Sequence, residues 1–264
     1  MHESYEIVQK IKRQLEKEKT EVISSEKLRK KVINELLSRG FEKEEKFYRV
    51  RHEIKNLDKP IFILIGGGTG VGKSTIALDI GHRLDINRVI GSDQVREIMR
   101  SILSPNLVPT LHQSSFKAKD KIRTPFRDNK LIYGFREQTS IVNEGLAAVM
   151  KRGEKEGLNM ILNGVHIIPG FLERTMKKLP EHTFRYILDV PDKQQHIQHF
   201  YTREEGSKRK PNRYINELED IREIHNHILE MAKEKNVKIV ENTDYEESLR
   251  TILEDIIEKL EKKI

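Results

Sequence analysis

The sequence predicts an α/β protein built on a doubly wound parallel sheet, preceded by a small helical unit. Three observations carry this prediction. Five short apolar runs rich in β-branched residues alternate with helical patterns, which implies βαβ units with right-handed crossovers. A glycine-rich loop joins the first of those runs to a helix-like segment. The first fifty-five residues show helical periodicity and no strand pattern. The domain reading is therefore a helical unit over 1–55 and an α/β domain over 60–264.

In the helical unit, Ile7, Val8, Ile11 and Leu15 share one face, and Leu28, Val32, Ile33, Leu36 and Leu37 share a second. Ser25 suits the cap of the second helix and Gly40 its stop. Two helices of this size bury little core by themselves, so docking on a neighbour or another chain is expected. A polar stretch from His52 to Lys59 leads to Pro60, where the pattern changes. Ile61 to Ile65 is continuously apolar, as a strand buried on both faces requires. Arg88 to Ile90, Met160 to Leu162, Phe184 to Val190 and Val237 to Val240 are the remaining strands, separated by helical patterns that include Glu137 to Arg152 and Tyr201 to Lys235. Residues 101 to 136 fit no single period. The last helix has Thr243 and Glu246 as a capping-box pair and a stripe of Leu249, Ile252, Leu253, Ile256, Ile257 and Leu260.

Composition narrows the function. The 264 residues contain no Cys, which excludes disulfide scaffolds, cysteine nucleophiles and thiolate metal sites. No apolar run approaches the roughly 18 residues of a membrane span, and the N-terminus lacks a signal-like apolar core, so a cytoplasmic protein without a membrane partner is expected. Lys and Arg outnumber Asp and Glu by 49 to 42, a formal +7 that favours anionic ligands.

Gly67-Gly68-Thr69-Gly70-Val71-Gly72-Lys73-Ser74 follows the first strand directly, with Thr75 and IALDIGHRL after it. This is the P-loop pattern in the strand-loop-helix context that confirms it. Glycines let backbone N–H groups converge on phosphate oxygens, the helix N-terminus adds its positive dipole end, and Lys73 reaches the β- and γ-phosphates. Ser74 offers a hydroxyl to Mg²⁺. The expected cofactors are thus a nucleoside triphosphate, which the resemblance below implies to be ATP, and Mg²⁺. No Asn-Lys-x-Asp guanine reader follows, so a GTPase switch is disfavoured and a small-molecule kinase remains.

After the second strand stands Gly91-Ser92-Asp93-Gln94-Val95-Arg96-Glu97, with Arg100 one turn on. Strand carboxyl ends open onto the ligand crevice, so Asp93 is expected to orient and deprotonate an acceptor hydroxyl while Arg96 and Arg100 face its charges. Capping of the next helix is the structural alternative for Asp93. A basic cluster of Arg203, Lys208, Arg209, Lys210 and Arg213 around Gly206 and Pro211 suits a lid around 201–213 that brings guanidinium groups to the transferring phosphoryl group. His166 follows the third strand and is a candidate ligand contact, with a turn-side structural role as the alternative. His196, His199, His225 and His227 lack a metal-ligand pattern and are expected to be surface or core histidines.

Taken together, GGGTGVGKST, VIGSDQVREIMRS, YGFREQTSIVNEGL, NGVHIIPGF and RYINELEDIREIHNHI resemble the archaeal 2-phosphoglycerate kinase family over most of residues 60 to 245. The resemblance implies a P-loop kinase-type sheet of strand order 2-3-1-4-5. It implies transfer of the ATP γ-phosphoryl group to the 3-hydroxyl of 2-phosphoglycerate, giving ADP and 2,3-bisphosphoglycerate, in methanogens the precursor of cyclic 2,3-diphosphoglycerate. It places Gly67 to Thr75 on the phosphates, Asp93 and Arg96 in the acceptor pocket, and Arg203, Arg209 and Arg213 in the lid. A carboxylate and a phosphate on three carbons suit several Arg groups, each capable of bidentate contact. Asn163 departs from the acidic residue the family pattern leads one to expect before Gly-Val-His; it keeps a carbonyl acceptor but not the charge. The N-terminal unit is similar to an abbreviated ATP-cone, read here as a structural version. The expected partners are the small-molecule substrate and a second copy of the chain in a homo-oligomer, with no nucleic acid. Alternatives are a kinase for another small phosphorylated acid or a polynucleotide 5′-hydroxyl, and an ATP-sensing regulator.

Overall fold

The computed structural model describes residues 2–18, 22–122, 129–205 and 210–262. The chain divides into two compact units, Met1–Leu57 with Ile257–Ile264, and Asp58–Ile256.

The first unit holds three helices, α1 (His2–Lys17), α2 (Ser25–Ser38) and α3 (Glu42–Glu53). The sequence reading anticipated two. The third is highly charged, with only Tyr48 turned toward the small cluster of Ile7, Ile11 and Leu36, so its apolar period is too sparse to read. Val8 and Leu37 lie exposed beside the stripes to which they were assigned. The α2 cap is Ser24 and not Ser25: its hydroxyl accepts the Lys27 N–H at 3.3 Å. Gly40 takes φ +79° just past the helix end, the left-handed conformation that lets a helix stop.

In the second unit the order is β1 (Ile61–Gly66), α4 (Lys73–Leu84), β2 (Val89–Gly91), α5 (Ser92–Ile102), α6 (Lys130–Glu156), β3 (Met160–Asn163), α7 (Phe171–Met176), β4 (His182–Asp189), α8 (Lys193–Glu205), α9 (Asn212–Ile215), α10 (Leu218–Glu234), β5 (Lys238–Glu241) and α11 (Tyr245–Glu261), whose residues from Ile257 onward belong to the first unit. All five strands pair in parallel, in the order β2-β3-β1-β4-β5. All five apolar runs of the sequence are strands, within two residues at each end. The central strand β1 is buried throughout. Its alternation divides the core. Phe62 and Leu64 join Met160 and Leu162 under Val95 of α5 and Val142, Leu146 and Met150 of α6. The opposite face meets α4 and α11, where Gly81 lies against Ile161 and the Tyr186 hydroxyl donates to Asp255 at 2.6 Å.

Three local expectations are corrected. The α11 cap is Asp244, whose Oδ1 accepts the Glu247 N–H at 2.9 Å, one residue beyond the Thr243 and Glu246 pair. The Tyr201–Lys235 pattern is broken, with the α8 end, α9 and α10 as separate helices. The α6 helix begins at Lys130, seven residues before its apolar pattern, because the Asn129 side chain caps it by accepting the Ile132 N–H at 3.1 Å. Between α5 and α6 the chain forms two 3₁₀ turns, Pro109–His112 and Ser115–Lys121. No helix among the described residues is long and apolar enough to cross a membrane.

Candidate active site

The carboxyl ends of β1, β2, β3 and β4 bring Gly66, Gly91, Asn163 and Asp189 to one edge of the sheet, where a doubly wound fold opens its ligand crevice. The phosphate-binding loop lies between β1 and α4. Gly70 and Gly72 adopt φ +93° and +88°, which L side chains rarely reach. A Cβ at Gly70 would stand 2.5 Å from the Phe200 ring, and one at Gly72 would collide with the Asn242 amide. The loop is thus packed from outside as well as turned from within. Lys73 is 9% exposed, and its ammonium donates to the Gly68 carbonyl across the loop. Ser74 and Thr75 are exposed at the start of α4, where unpaired helix N–H groups and the dipole favour an anion.

Asn163 closes β3 beside this loop. Its Oδ1 accepts the Ser74 hydroxyl proton at 3.0 Å, so the carbonyl of an amide occupies the place where an acidic side chain was expected. No group of three or more His, Cys, Asp or Glu side chains suited to a metal is present among the described residues. The oxygens at hand are those of Ser74 and Asn163. They fit a hard cation that takes most of its ligands from phosphate and water, as Mg²⁺ does.

At the carboxyl end of β2, Asp93 and Arg96 lie on the first two turns of α5 with Asp93 Oδ1 3.5 Å from Arg96 Nε. Asp93 is not the cap of α5. That position is Gly91, whose N–H is taken by the Gln94 side chain at 2.8 Å, and Asp93 keeps a 60% exposed carboxylate. Arg96 is 13% exposed and donates through Nη1 to the Leu111 and Gln113 carbonyls at 3.2 and 3.0 Å, tying α5 to the irregular segment before α6. Arg100 pairs with Glu97 at 3.2 Å on the same helix.

The structure places His166 differently from a ligand contact. Its ring is fully buried, and both nitrogens are engaged. Gln138 uses its amide N–H groups on the Thr110 and Gln113 carbonyls, so its Oε1 is left to accept from His166 Nε2–H at 3.0 Å. Nδ1 then accepts the Ser92 hydroxyl proton at 2.8 Å. Burial pushes the His166 pKa down to about 4; the Asp93 charge opposes this while Arg96 and Lys73 reinforce it. The imidazole is neutral and joins α5, α6 and the β3 loop.

Of the residues expected to form a lid, Arg213 is exposed on the short α9, where buried Tyr214 stacks at 5.1 Å on Phe200. Lys208 and Arg209, and the side chain of Arg203, lie outside the described residues.

Sequence reasoning missed the histidines behind the loop. His196 Nε2–H donates to the Thr69 carbonyl at 2.7 Å and His199 Nδ1–H to the Gly70 carbonyl at 3.0 Å. The Gly68 N–H donates to His225 Nδ1 at 3.0 Å, and His225 Nε2–H donates to Asp189 Oδ1 at 2.8 Å. Their spacing on α8 and α10 carries no signal for this, since the loop atoms they hold are main-chain atoms more than a hundred residues away.

No family model matches the chain. Curated relatives do. It is 36% identical to a 2-phosphoglycerate kinase of Thermococcus kodakarensis, covering 98% of this chain and 88% of the relative. It is 37% identical to those of Pyrococcus horikoshii, over 97% and 84%, and of Methanopyrus kandleri, over 99% and 80%. Among solved structures, a shikimate kinase from Acinetobacter baumannii aligns with TM-score 0.47 and 13% identity, over 81% of this chain and 98% of the other. Identity above one third along nearly the whole of this chain establishes that it belongs to the 2-phosphoglycerate kinase family.

Proposed function

We propose that this protein transfers the γ-phosphoryl group of ATP to the 3-hydroxyl of 2-phosphoglycerate, producing ADP and 2,3-bisphosphoglycerate. The observation that carries the reading is family membership over nearly the full chain, combined with an intact phosphate loop at the crevice.

In this reading the loop N–H groups and the α4 N-terminus receive the triphosphate. Lys73 leaves the Gly68 carbonyl to meet the β- and γ-oxygens. Ser74, backed by Asn163, would hold Mg²⁺, which supplies charge neutralisation between the β- and γ-phosphates when bound. Asp93 takes the proton of the acceptor hydroxyl as that oxygen bonds to the γ-phosphorus and the bridge to the β-phosphate breaks. Arg96 and Arg100 hold the substrate carboxylate and phosphate, and Arg203, Arg209 and Arg213 serve the transferring group. The metabolic reaction suits a cytoplasmic enzyme. The N-terminal helices, with a buried cluster of three aliphatic side chains, are read as a structural remnant of an ATP-cone.

The test is ³¹P NMR of the protein with MgATP and, separately, 2-phosphoglycerate, 3-phosphoglycerate and glycerate. Bisphosphoglycerate signals should grow with 2-phosphoglycerate only, and Lys73→Ala should lower the rate by about 10²–10³-fold. Consumption of another acceptor, or none, would remove the assignment.

A further inference from the structure

Four consecutive residues of the phosphate loop are held from outside by side chains. The Thr69 and Gly70 carbonyls accept from His196 and His199 of α8, and the Val71 carbonyl accepts from Asn242 Nδ2 at 3.0 Å. Gly68 is held at both ends, its N–H on His225 Nδ1 and its carbonyl on Lys73. The His225 bond fixes a tautomer. An amide N–H can only be received by an unprotonated Nδ1, so the ring proton sits on Nε2 and points at Asp189. Asp189 itself is braced, because its main-chain carbonyl accepts the Asn242 N–H at 2.7 Å. A Cβ at Gly68 would lie 2.7 Å from the His225 Cβ, so ring and loop are in direct contact.

This matters because a phosphate loop works through the direction of its peptides. A peptide that rotates presents a carbonyl oxygen where an N–H should meet the anion, replacing attraction by repulsion. Glycines make that rotation easy, so the rigidity must come from elsewhere. We propose that His225, oriented by Asp189 and assisted by His196 and His199, is a positioning set that holds the phosphate loop in its triphosphate-binding conformation before the nucleotide arrives. The proposal rests on ATP as the phosphoryl donor. None of the four side chains is assigned a contact with the reacting atoms; they act through the Gly68 to Gly70 peptides.

The experiment compares His225→Asn, His225→Gln and His199→Ala with the parent protein, reading the ATP dissociation constant by calorimetry without acceptor, and KM and kcat for each substrate. Asn puts its Oδ1 near the position of the His Nδ1 and can still receive the Gly68 N–H. Gln reaches toward Asp189 but leaves that N–H without an acceptor. His225→Gln should weaken ATP binding at least about tenfold and raise the ATP KM in parallel, with the 2-phosphoglycerate KM within about twofold. His225→Asn should recover to within about threefold of the parent, a rescue that loss of packing alone would not produce. Equal ATP affinity in the Asn and Gln variants would overturn the proposal. His199 is only partly buried, so His199→Ala decides the matter if the His225 variants fail to fold: about threefold weaker ATP binding is expected, and unchanged binding overturns the set. A parent protein that binds no ATP would overturn the donor reading together with the proposal, whereas an ATP-binding parent with indifferent variants overturns the proposal alone.

Discussion

The two halves of the crevice are built on different plans. On the donor side, the carbonyls of Gly68, Thr69, Gly70 and Val71 are each engaged by a side chain, and Lys73 is almost wholly buried. On the side proposed for the acceptor, Asp93 is largely exposed, Arg100 pairs with a neighbour one turn away, and Arg96 is tied into the surrounding main chain. The proposed function accounts for the difference: a triphosphate would be read by peptide dipoles, which must be aimed in advance, and a small acid by charged side chains, which exchange exposed surface pairs at little cost.

That contrast can be broken most directly at Asp93. If the acceptor side supplies the base, Asp93→Asn should lower kcat by about 10²-fold or more while leaving the ATP dissociation constant unchanged. The substitution removes no helix cap, so Tm should hold, and unaltered turnover would end the assignment. A smaller effect is expected at Arg96. Arg96→Ala should raise the KM for 2-phosphoglycerate about tenfold or more, leaving that for ATP within about twofold. Arg96→Lys should recover only part, because Lys lacks the fork that spans two acceptors. Equal shifts in both KM values would show that the two halves are not separately organised.

A further prediction concerns pH and stability. Burial holds His166 and His196 neutral, with pKa values pushed down to about 4. The unfolded chain protonates these rings near 6.5 and therefore binds more protons than the folded one between the two values. Stability should be full above about pH 6.5 and fall as pH drops through 4, by at most about 1.4 kcal/mol per pH unit for each ring. Thermal unfolding from pH 7 to 4.5 measures this, and His166→Gln should flatten the profile. An equal slope in the variant would show that His166 is not held neutral by burial.

Much of this was legible from residue order. The central strands β1 and β3 read correctly because both their faces are buried, which forces continuous apolar runs such as Ile61 to Ile65. The phosphate loop read correctly because glycines, Lys73 and Ser74 at fixed offsets have no cheaper explanation. Residues 101 to 122 did not read, since their conformation depends on Arg96 and Gln138 capturing the carbonyls of residues 110, 111 and 113. The charged α3 hid its helix for the opposite reason, having too few apolar positions to mark a face.

By itself, then, the sequence determined the sheet and the glycine-rich loop between its first strand and helix, and it supplied the charged residues proposed to meet the acceptor, because these depend on local period and on motifs contiguous in the chain. Only the tertiary structure decided the roles of the histidines. His166 became a buried link between α5 and α6, and His196, His199 and His225 came to hold the phosphate loop from behind. An imidazole donates, accepts or stays neutral according to the atoms set against each nitrogen, and those atoms arrive from distant parts of the chain only when it folds.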